Sequence, residues 1–339
     1  TMMASKTCPL ASCNIFHLRK SNKNLLFRRT QFQRLSTVDA LDGENFVKPP
    51  RSTVDVHTSL PLSPIEYSRG WAWQQVLLLR RKNLSCREDV DYDRDNIILL
   101  EHKPVYTLGR GADENHLTFL KDEENKEERK RLSRSSRGLG SSSLIMDKNL
   151  HEQIKSLSIK NVVDRLSSIA NPVISPNGAP IYRIERGGEV TYHGPGQLVV
   201  YPMFDLKQHP FRKDLHWYLR TVEELVIEIL RVYDIEGVRD AINTGVWFER
   251  KKVAAVGVSS SGWITTHGFA LNVSPDLKFF DTAYIFPCGI EGRGVTSIHE
   301  ILKNRGETNL PTVADIARTT LGKIETVFGV ITSSPKLIT

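Results

Sequence analysis

Apolar residues fall at Leu215, Leu219, Val222, Val226, Ile229 and Tyr233 with charged residues between them. This spacing lays one apolar stripe along a helix, which must pack against another layer. Residues 96–102 (NIILLEH) form a compact apolar run closed by Pro104 and predict a buried strand. Residues 197–203 (QLVVYPM) predict a second, and 71–81 a short helix. A strand over 181–186 runs into Gly187-Gly188, and Gly194-Pro195-Gly196 turns the chain into the next. Residues 245–260 predict a hairpin turning at 249–252, and 267–273 a further strand. A closing helix spans 311–328, with Pro311 in its first turn and Gly329 at its exit. This order of elements is that of an α+β domain over 65–330, with helices packed on a mixed sheet. Pro49, Pro50, Pro61 and Pro64 mark 49–64 as a linker, so folded structure is expected from about Ile65, and 331–339 reads as a tail.

One stretch departs from this regularity. Residues 121–137 (KDEENKEERKRLSRSSR) are almost wholly charged or Ser and cannot bury enough apolar surface to order themselves. A helical stripe follows at Ile154, Leu157, Val162, Leu166 and Ile169. The whole of 112–178 is expected to be a largely mobile insertion.

The formal charge of +7 is concentrated at the front. Residues 1–38 hold Lys6, Arg19, Lys20, Lys23, Arg28, Arg29 and Arg34 and no acidic residue; of 46 basic residues this leaves 39, against 39 acidic ones. A basic, Ser-bearing, acid-free stretch is the composition of an organelle transit segment, here 1–48, with a plastid favoured and a mitochondrion the alternative. Its few aromatics form no nucleic-acid recognition pattern, and no run approaches the roughly 18 apolar residues of a membrane span. Neither nucleic acid nor membrane is an expected partner. The four cysteines, Cys8, Cys13, Cys86 and Cys288, form no C-x-x-C pair, so no metal cluster or disulfide framework is expected.

Four segments carry chemistry. In 186–197 (RGGEVTYHGPGQ), glycine pairs bracket a polar strand, so that backbone N–H groups can approach a ligand while Arg186, Thr191, Tyr192 and His193 supply donors. A pair of tight turns around a satisfied core histidine is the bland alternative. In 250–257, Lys252 starts an apolar strand, and strict alternation groups it with Ala254 and Val256. A solvated turn is the other possibility. In 266–272, Gly268 and Ala270 leave room for an apolar ligand, or simply for a packed helix. Cys288 sits in a Pro-Cys-Gly turn, where a nearby cation such as Lys252 would favour the nucleophilic thiolate; a lone cysteine is more often structural.

Together, RGGEVTYHGPGQLVVYP (186–202), EHKPVYTLG (101–109), KKVAAVG, HGFALNV and PCGI resemble, in order, the motifs of the lipoyl(octanoyl) transferase family. The resemblance covers about 65–120 and 180–330. It implies the catalytic fold of biotin and lipoate protein ligases. It also implies transfer of an octanoyl group from octanoyl-acyl carrier protein, through a thioester on Cys288 activated by Lys252, to a lysine ε-amine. The acceptors it implies are lipoyl domains of 2-oxoacid dehydrogenase complexes or the glycine cleavage H protein, and it implies no metal or cofactor and a monomer. Carried over as substrate-binding positions are Arg186, Gly187, Gly188, Glu189, Val190, Thr191, Tyr192, His193, Ala255, Val256, Gly257, Gly268, Phe269 and Ala270. Lys103 replaces a proline common in the family, and the insertion lengthens a loop that is usually short. An ATP-dependent ligase on the same fold is one alternative, though the longer Arg-Arg and triple-Gly form of lipoate ligases is missing. A non-catalytic protein that docks lipoyl domains is the other.

Overall fold

The computed structural model describes residues 52–84, 94–120, 158–168, 170–281 and 293–338, with 126, 127, 130, 132 and 285 as isolated positions. The strands are β1 (Thr53–Thr58), β2 (Asp95–Leu100), β3 (Val105–Leu108), β4 (Val173–Ile174), β5 (Pro180–Arg183), β6 (Val190–His193) and β7 (Gln197–Met203). Then come β8 (Val238–Arg239), β9 (Val246–Phe248), β10 (Lys251–Ser261), β11 (Ile264–Asn272), β12 (Ile331–Thr332) and β13 (Lys336–Leu337). The helices are α1 (Tyr67–Leu84), α2 (Ile159–Ser168), α3 (Leu215–Arg231), α4 (Ile298–Asn304) and α5 (Val313–Phe328).

The larger sheet runs β12-β1-β2-β7-β11-β10-β9-β8, with β13 also paired to β1. Its β1 is parallel to β2, β12 and β13, and its other pairs are antiparallel. A smaller sheet, β4-β5-β3-β6, mixes one parallel pair with two antiparallel ones. The fold class is therefore α+β with mixed sheets.

The period-2 geometry of a strand sends alternate residues to opposite faces, and both faces of the larger sheet are covered. Ile97, Leu99, Leu198, Val200, Phe269 and Leu271 form one core with the apolar sides of α3, α4 and α5. Ile98, Leu100, Val199, Tyr201 and Ala270 form another with α1 and α2. The stripe on α3 supplies Val222, Val226 and Ile229 to the first core, and Asp214 caps the helix by accepting from the N–H groups of His216 and Trp217. Helix α5 opens on a reciprocal capping box between Thr312 and Asp315 and closes on Gly329 in the left-handed region, φ 71°. Thr312→Ala should lower stability by about 1 kcal/mol, read as a shift in the urea midpoint.

Several boundaries differ from the sequence expectation. The sheet takes in residues assigned to the linker and the tail, because Val54 and Val56 of β1 are fully buried and the last strands pair with it. The prolines bracket this strand without interrupting it. Within the expected insertion, α2 packs on α1 through Val162, Val163 and Leu166, since its apolar positions make one stripe. Residues 133–157 lie outside the described residues, as do 1–51. Pro311 precedes the Thr312 cap and so lies outside the first turn of α5; its carbonyl accepts from His299 Nε2 at 2.8 Å. Strand β5 stops at Arg183, and the chain from 184 to 189 leaves the sheet as a loop.

Candidate functional site

Between the α1-facing side of the larger sheet and the 186–193 segment lies a cavity of about 220 Å³. Its floor comes from β10 and β11, where Ala255 pairs with Ala270 and Gly257 with Gly268. Its wall comes from the loop before β6 and from β6 itself. Every expected substrate-binding position lines it except Gly187 and Tyr192. Gly187 instead donates its N–H to Val258 O at 3.0 Å, which ties the loop across β10. The Tyr192 ring turns away to stack on Phe279, 4.6 Å between centroids. Gly257 is required where the loop crosses, because a Cβ there would lie 2.9 Å from Gly187 O.

Lys252 also lines the cavity, and the reason corrects the expected alternation. The pairing of β10 with β9 slips by one residue between Lys252 and Ala254. Val253, Ala254 and Val256 all belong to the core under α3, whereas Lys252, Ala255 and Gly257 reach the cavity. A β-bulge absorbs the extra residue and reverses the parity of the strand start. Strict alternation would have buried the ammonium among aliphatic side chains.

Lys252 is 8% exposed. Its Nζ donates to Thr244 O at 3.1 Å and stands 4.8 Å from the centre of the Trp247 ring. The Arg293 guanidinium approaches the same ring at 5.2 Å and pairs with Asp240. The Thr244 turn is held from α3: Glu223, fully buried, accepts from Gly245 N at 2.9 Å and from Arg220 Nη1 at 2.8 Å. Nothing in the helical pattern marked Glu223 beyond a carboxylate next to the apolar stripe.

Arg186 does something other than present donors to a ligand. Its Nη2 donates to Thr107 O and Oγ1, both at 2.9 Å, and to Glu189 O at 2.8 Å, while Nη1 donates to Gly187 O at 3.0 Å. The guanidinium binds the loop to β3. Gly109 lies beneath, where a Cβ would come within 2.1 Å of Gly188 O.

His193 lines the cavity and is at the same time a hydrogen-bonded interior histidine. Its Nδ1 is 2.7 Å from Gln197 Oε1 and its Nε2 is 3.4 Å from Thr107 Oγ1. Burial, then the charges of its neighbours, holds its pKa well below the usual histidine range. Behind it, His102 lies 2.8 Å from Tyr201 Oη, and burial pushes its pKa down to about 3. An unfolded histidine takes up a proton below about pH 6.5, whereas folded His102 stays neutral to about 3. The stabilisation is complete above 6.5 and is lost as the pH falls from there, by about 1.4 kcal/mol per unit. The urea midpoint should therefore fall between pH 6.5 and 5, and less steeply in His102→Gln.

Tyr67, Tyr201, His267 and the Ile242–Thr244 turn line the cavity without having been among the expected positions. His267 belongs to a quoted motif, but its φ of +60° has no signature in the sequence. Cys288 lies outside the described residues. The chain that follows it is described from Arg293, and there it runs beside Lys252: Lys252 N donates to Gly294 O at 2.9 Å and Thr296 N to Lys252 O at 3.0 Å. Among the described residues no cluster of His, Cys, Asp and Glu could hold a metal ion, and no helix is long and apolar enough to cross a membrane.

Residues 160–323 match the family model of the lipoyl protein ligase A/B catalytic domain. The chain is similar to the octanoyltransferase of Synechococcus elongatus, 41% identical over 236 residues, which is 70% of this chain and 74% of that protein. It is also similar to "Octanoyltransferase LIP2p2, chloroplastic" of Arabidopsis thaliana, 35% identical over 296 residues, 85% of this chain and 78% of that one. Among solved structures, P. falciparum LipL1 in complex with lipoate shares the fold at a TM-score of 0.51 and 10% identity, over 85% of this chain and 66% of that chain. With that identity sustained over most of its relatives' length, on a lipoate-ligase-like α+β fold, this chain belongs to the octanoyltransferase family.

Proposed function

We propose that the protein moves an octanoyl group from octanoyl-acyl carrier protein, by way of a Cys288 thioester, to the ε-amine of a lysine on a lipoyl domain. The observation that carries this is one cavity lined both by Lys252 and by a floor of Ala255, Gly257, Gly268 and Ala270 that leaves room for an alkyl chain. In the first step the Cys288 thiolate attacks the donor carbonyl carbon, the bond to the carrier sulfur breaks, and that sulfur leaves as a thiol after taking up a proton. In the second, the acceptor amine attacks the enzyme thioester, loses a proton, and releases the Cys288 thiol as the amide forms. Exchange between thioesters is close to thermoneutral and amide formation is downhill, so neither step needs ATP.

Lys252 is the cation or base that favours the Cys288 thiolate. Six positions separate Cys288 from Gly294, about 20 Å of fully extended chain, which is short enough for the thiol to reach the ammonium. Arg186, Gly187 and Glu189 hold the lid of the cavity, and Gly188, Val190, Thr191, His193, Ala255, Val256, Gly257, Gly268, Phe269 and Ala270 line the acyl path; Tyr192 buttresses it from behind. The acceptors are lipoyl domains of 2-oxoacid dehydrogenase complexes or the glycine cleavage H protein. The work is done in a plastid, in keeping with the basic first 38 residues and the plastid name of the Arabidopsis relative.

A transfer assay with octanoyl carrier protein and an isolated lipoyl domain, without ATP, tests this. Wild type should octanoylate the domain and Cys288→Ser should not. Transfer by Cys288→Ser at the wild-type rate, or transfer that requires ATP, would contradict the proposal.

A further inference from the structure

We propose that Glu189 recognises the acceptor: its carboxylate, oriented by His116, pairs with the ε-ammonium of the lysine to be acylated and places that group in the cavity. This rests on the reading that the acceptor is a lysine of a lipoyl domain.

Charge comes first. A lysine side chain arrives at neutral pH as a cation, and the cavity it enters is already lined by Lys252 and Arg186. Glu189 is the only carboxylate among the described residues that line it. An incoming ammonium is repelled by Lys252 and meets its one complementary charge at Glu189. The neighbouring arginine leaves that charge in place, because Arg186 Nη2 donates to the backbone carbonyl of Glu189, at 2.8 Å, and forms no ion pair with its carboxylate. The backbone of Glu189 therefore serves the loop, while its side chain is directed elsewhere.

The carboxylate is held in a defined position. Its Oε2 accepts from His116 Nδ1 at 3.0 Å, the only ion-pair partner of Glu189 among the described residues. Its Oε1 has no hydrogen-bond partner among them, and Gly111 beside it leaves space, since even a Cβ there would lie 3.8 Å from that oxygen. The Glu189 side chain is 32% exposed, so it borders both the cavity and the solvent from which a partner's lysine would enter.

His116 is itself fixed. It closes a short 3-10 turn (Glu114–His116) capped by Asp113, and Arg183 of β5 ties the stretch down by donating to Gly109 O and Ala112 O, each at 3.3 Å, and by pairing with Glu114. The next residue, Leu117, forms a β-bridge with Ile285, three positions before Cys288. On the other side of Cys288, Gly294 is bonded to Lys252. In sequence the nucleophile thus falls between a residue tied next to His116 and one tied to Lys252. The two charges divide the work: the ammonium favours the thiolate, and the carboxylate selects the amine.

The test separates the two half-reactions, because in a double-displacement enzyme kcat/KM for each substrate reports its own half. Glu189→Gln keeps the size of the side chain and removes its charge. The ratio of kcat/KM for the lipoyl domain to kcat/KM for octanoyl carrier protein should fall about tenfold or more, the range for a hydrogen bond to a charged group, with the urea midpoint unchanged. His116→Gln should move the same ratio in the same direction. Hydroxylamine is uncharged at neutral pH and takes acyl groups from thioesters, so the ratio of lipoyl-domain transfer to hydroxylamine transfer should fall by the same factor. An unchanged ratio of the two kcat/KM values in Glu189→Gln would overturn the proposal, as would a hydroxylamine rate that falls as far as the lysine rate. A wild-type protein that forms no acyl-enzyme would instead contradict the proposed function. Calorimetric titration with the unacylated lipoyl domain then decides on Glu189: Glu189→Gln should raise Kd about tenfold or more, and an unchanged Kd would overturn its role.

Discussion

Lys252→Met is expected to lower octanoyl transfer by about a thousandfold or more, within the range for losing a positioned acid–base or charged group. Methionine keeps an unbranched stem of similar length against Trp247 and removes only the ammonium. That group is fixed in the cavity lining by the Thr244 carbonyl and by the Trp247 ring, and the Thr244 turn is itself pinned to buried Glu223. The loss should appear in kcat, with a near-normal KM for the donor and an unchanged urea midpoint. Lys252→Arg separates the two possible roles. A permanent cation retains part of the rate if charge is what the thiol needs, and none if Lys252 must take up a proton. Full activity in Lys252→Met would remove Lys252 from the mechanism.

Arg186→Ala should produce the largest loss of stability, about 3 kcal/mol or more, since hydrogen bonds to a charged donor contribute about 1.5–3 kcal/mol each and buried acceptors are left behind. The acceptors are Thr107 O and Oγ1, Glu189 O and Gly187 O. All serve to hold the 186–189 loop over β3 and β10, so the cavity should open as the fold weakens. Urea denaturation reads the first effect and a raised KM for the octanoyl donor the second. An unchanged urea midpoint would mean the guanidinium is available to substrate rather than committed to the loop.

What could be read from the chain alone follows from what each inference required. The α3 stripe and β7 stood out because many successive positions agree on one period, and the structure has both at or near the expected bounds. Strand β1 was hidden because its six residues sit among prolines, and only its parallel pairing with β2 and the C-terminal strands shows why Val54 and Val56 are buried. The glycine-bracketed segment was legible as a site, but the use made of Arg186 was not: its partners Thr107 and Glu189 lie 79 and 3 positions away, and sequence reveals no such geometry. Lys252 was picked out on a face argument that the bulge at Val253 reverses, since parity fails wherever a strand gains a residue. The orientation of His267 is not legible in the sequence, because a left-handed backbone at a histidine leaves no trace in residue order.

In the proposed cycle the acyl group rests on Cys288 between donor and acceptor. Intact-protein and peptide mass spectrometry after incubation with octanoyl carrier protein, with no acceptor present, tests it most directly. The peptide containing Cys288 should gain about 126 Da, an octanoyl group in place of one hydrogen, and lose it when a lipoyl domain is added. An unmodified Cys288 alongside active transfer, or an adduct carried on another residue, would contradict it.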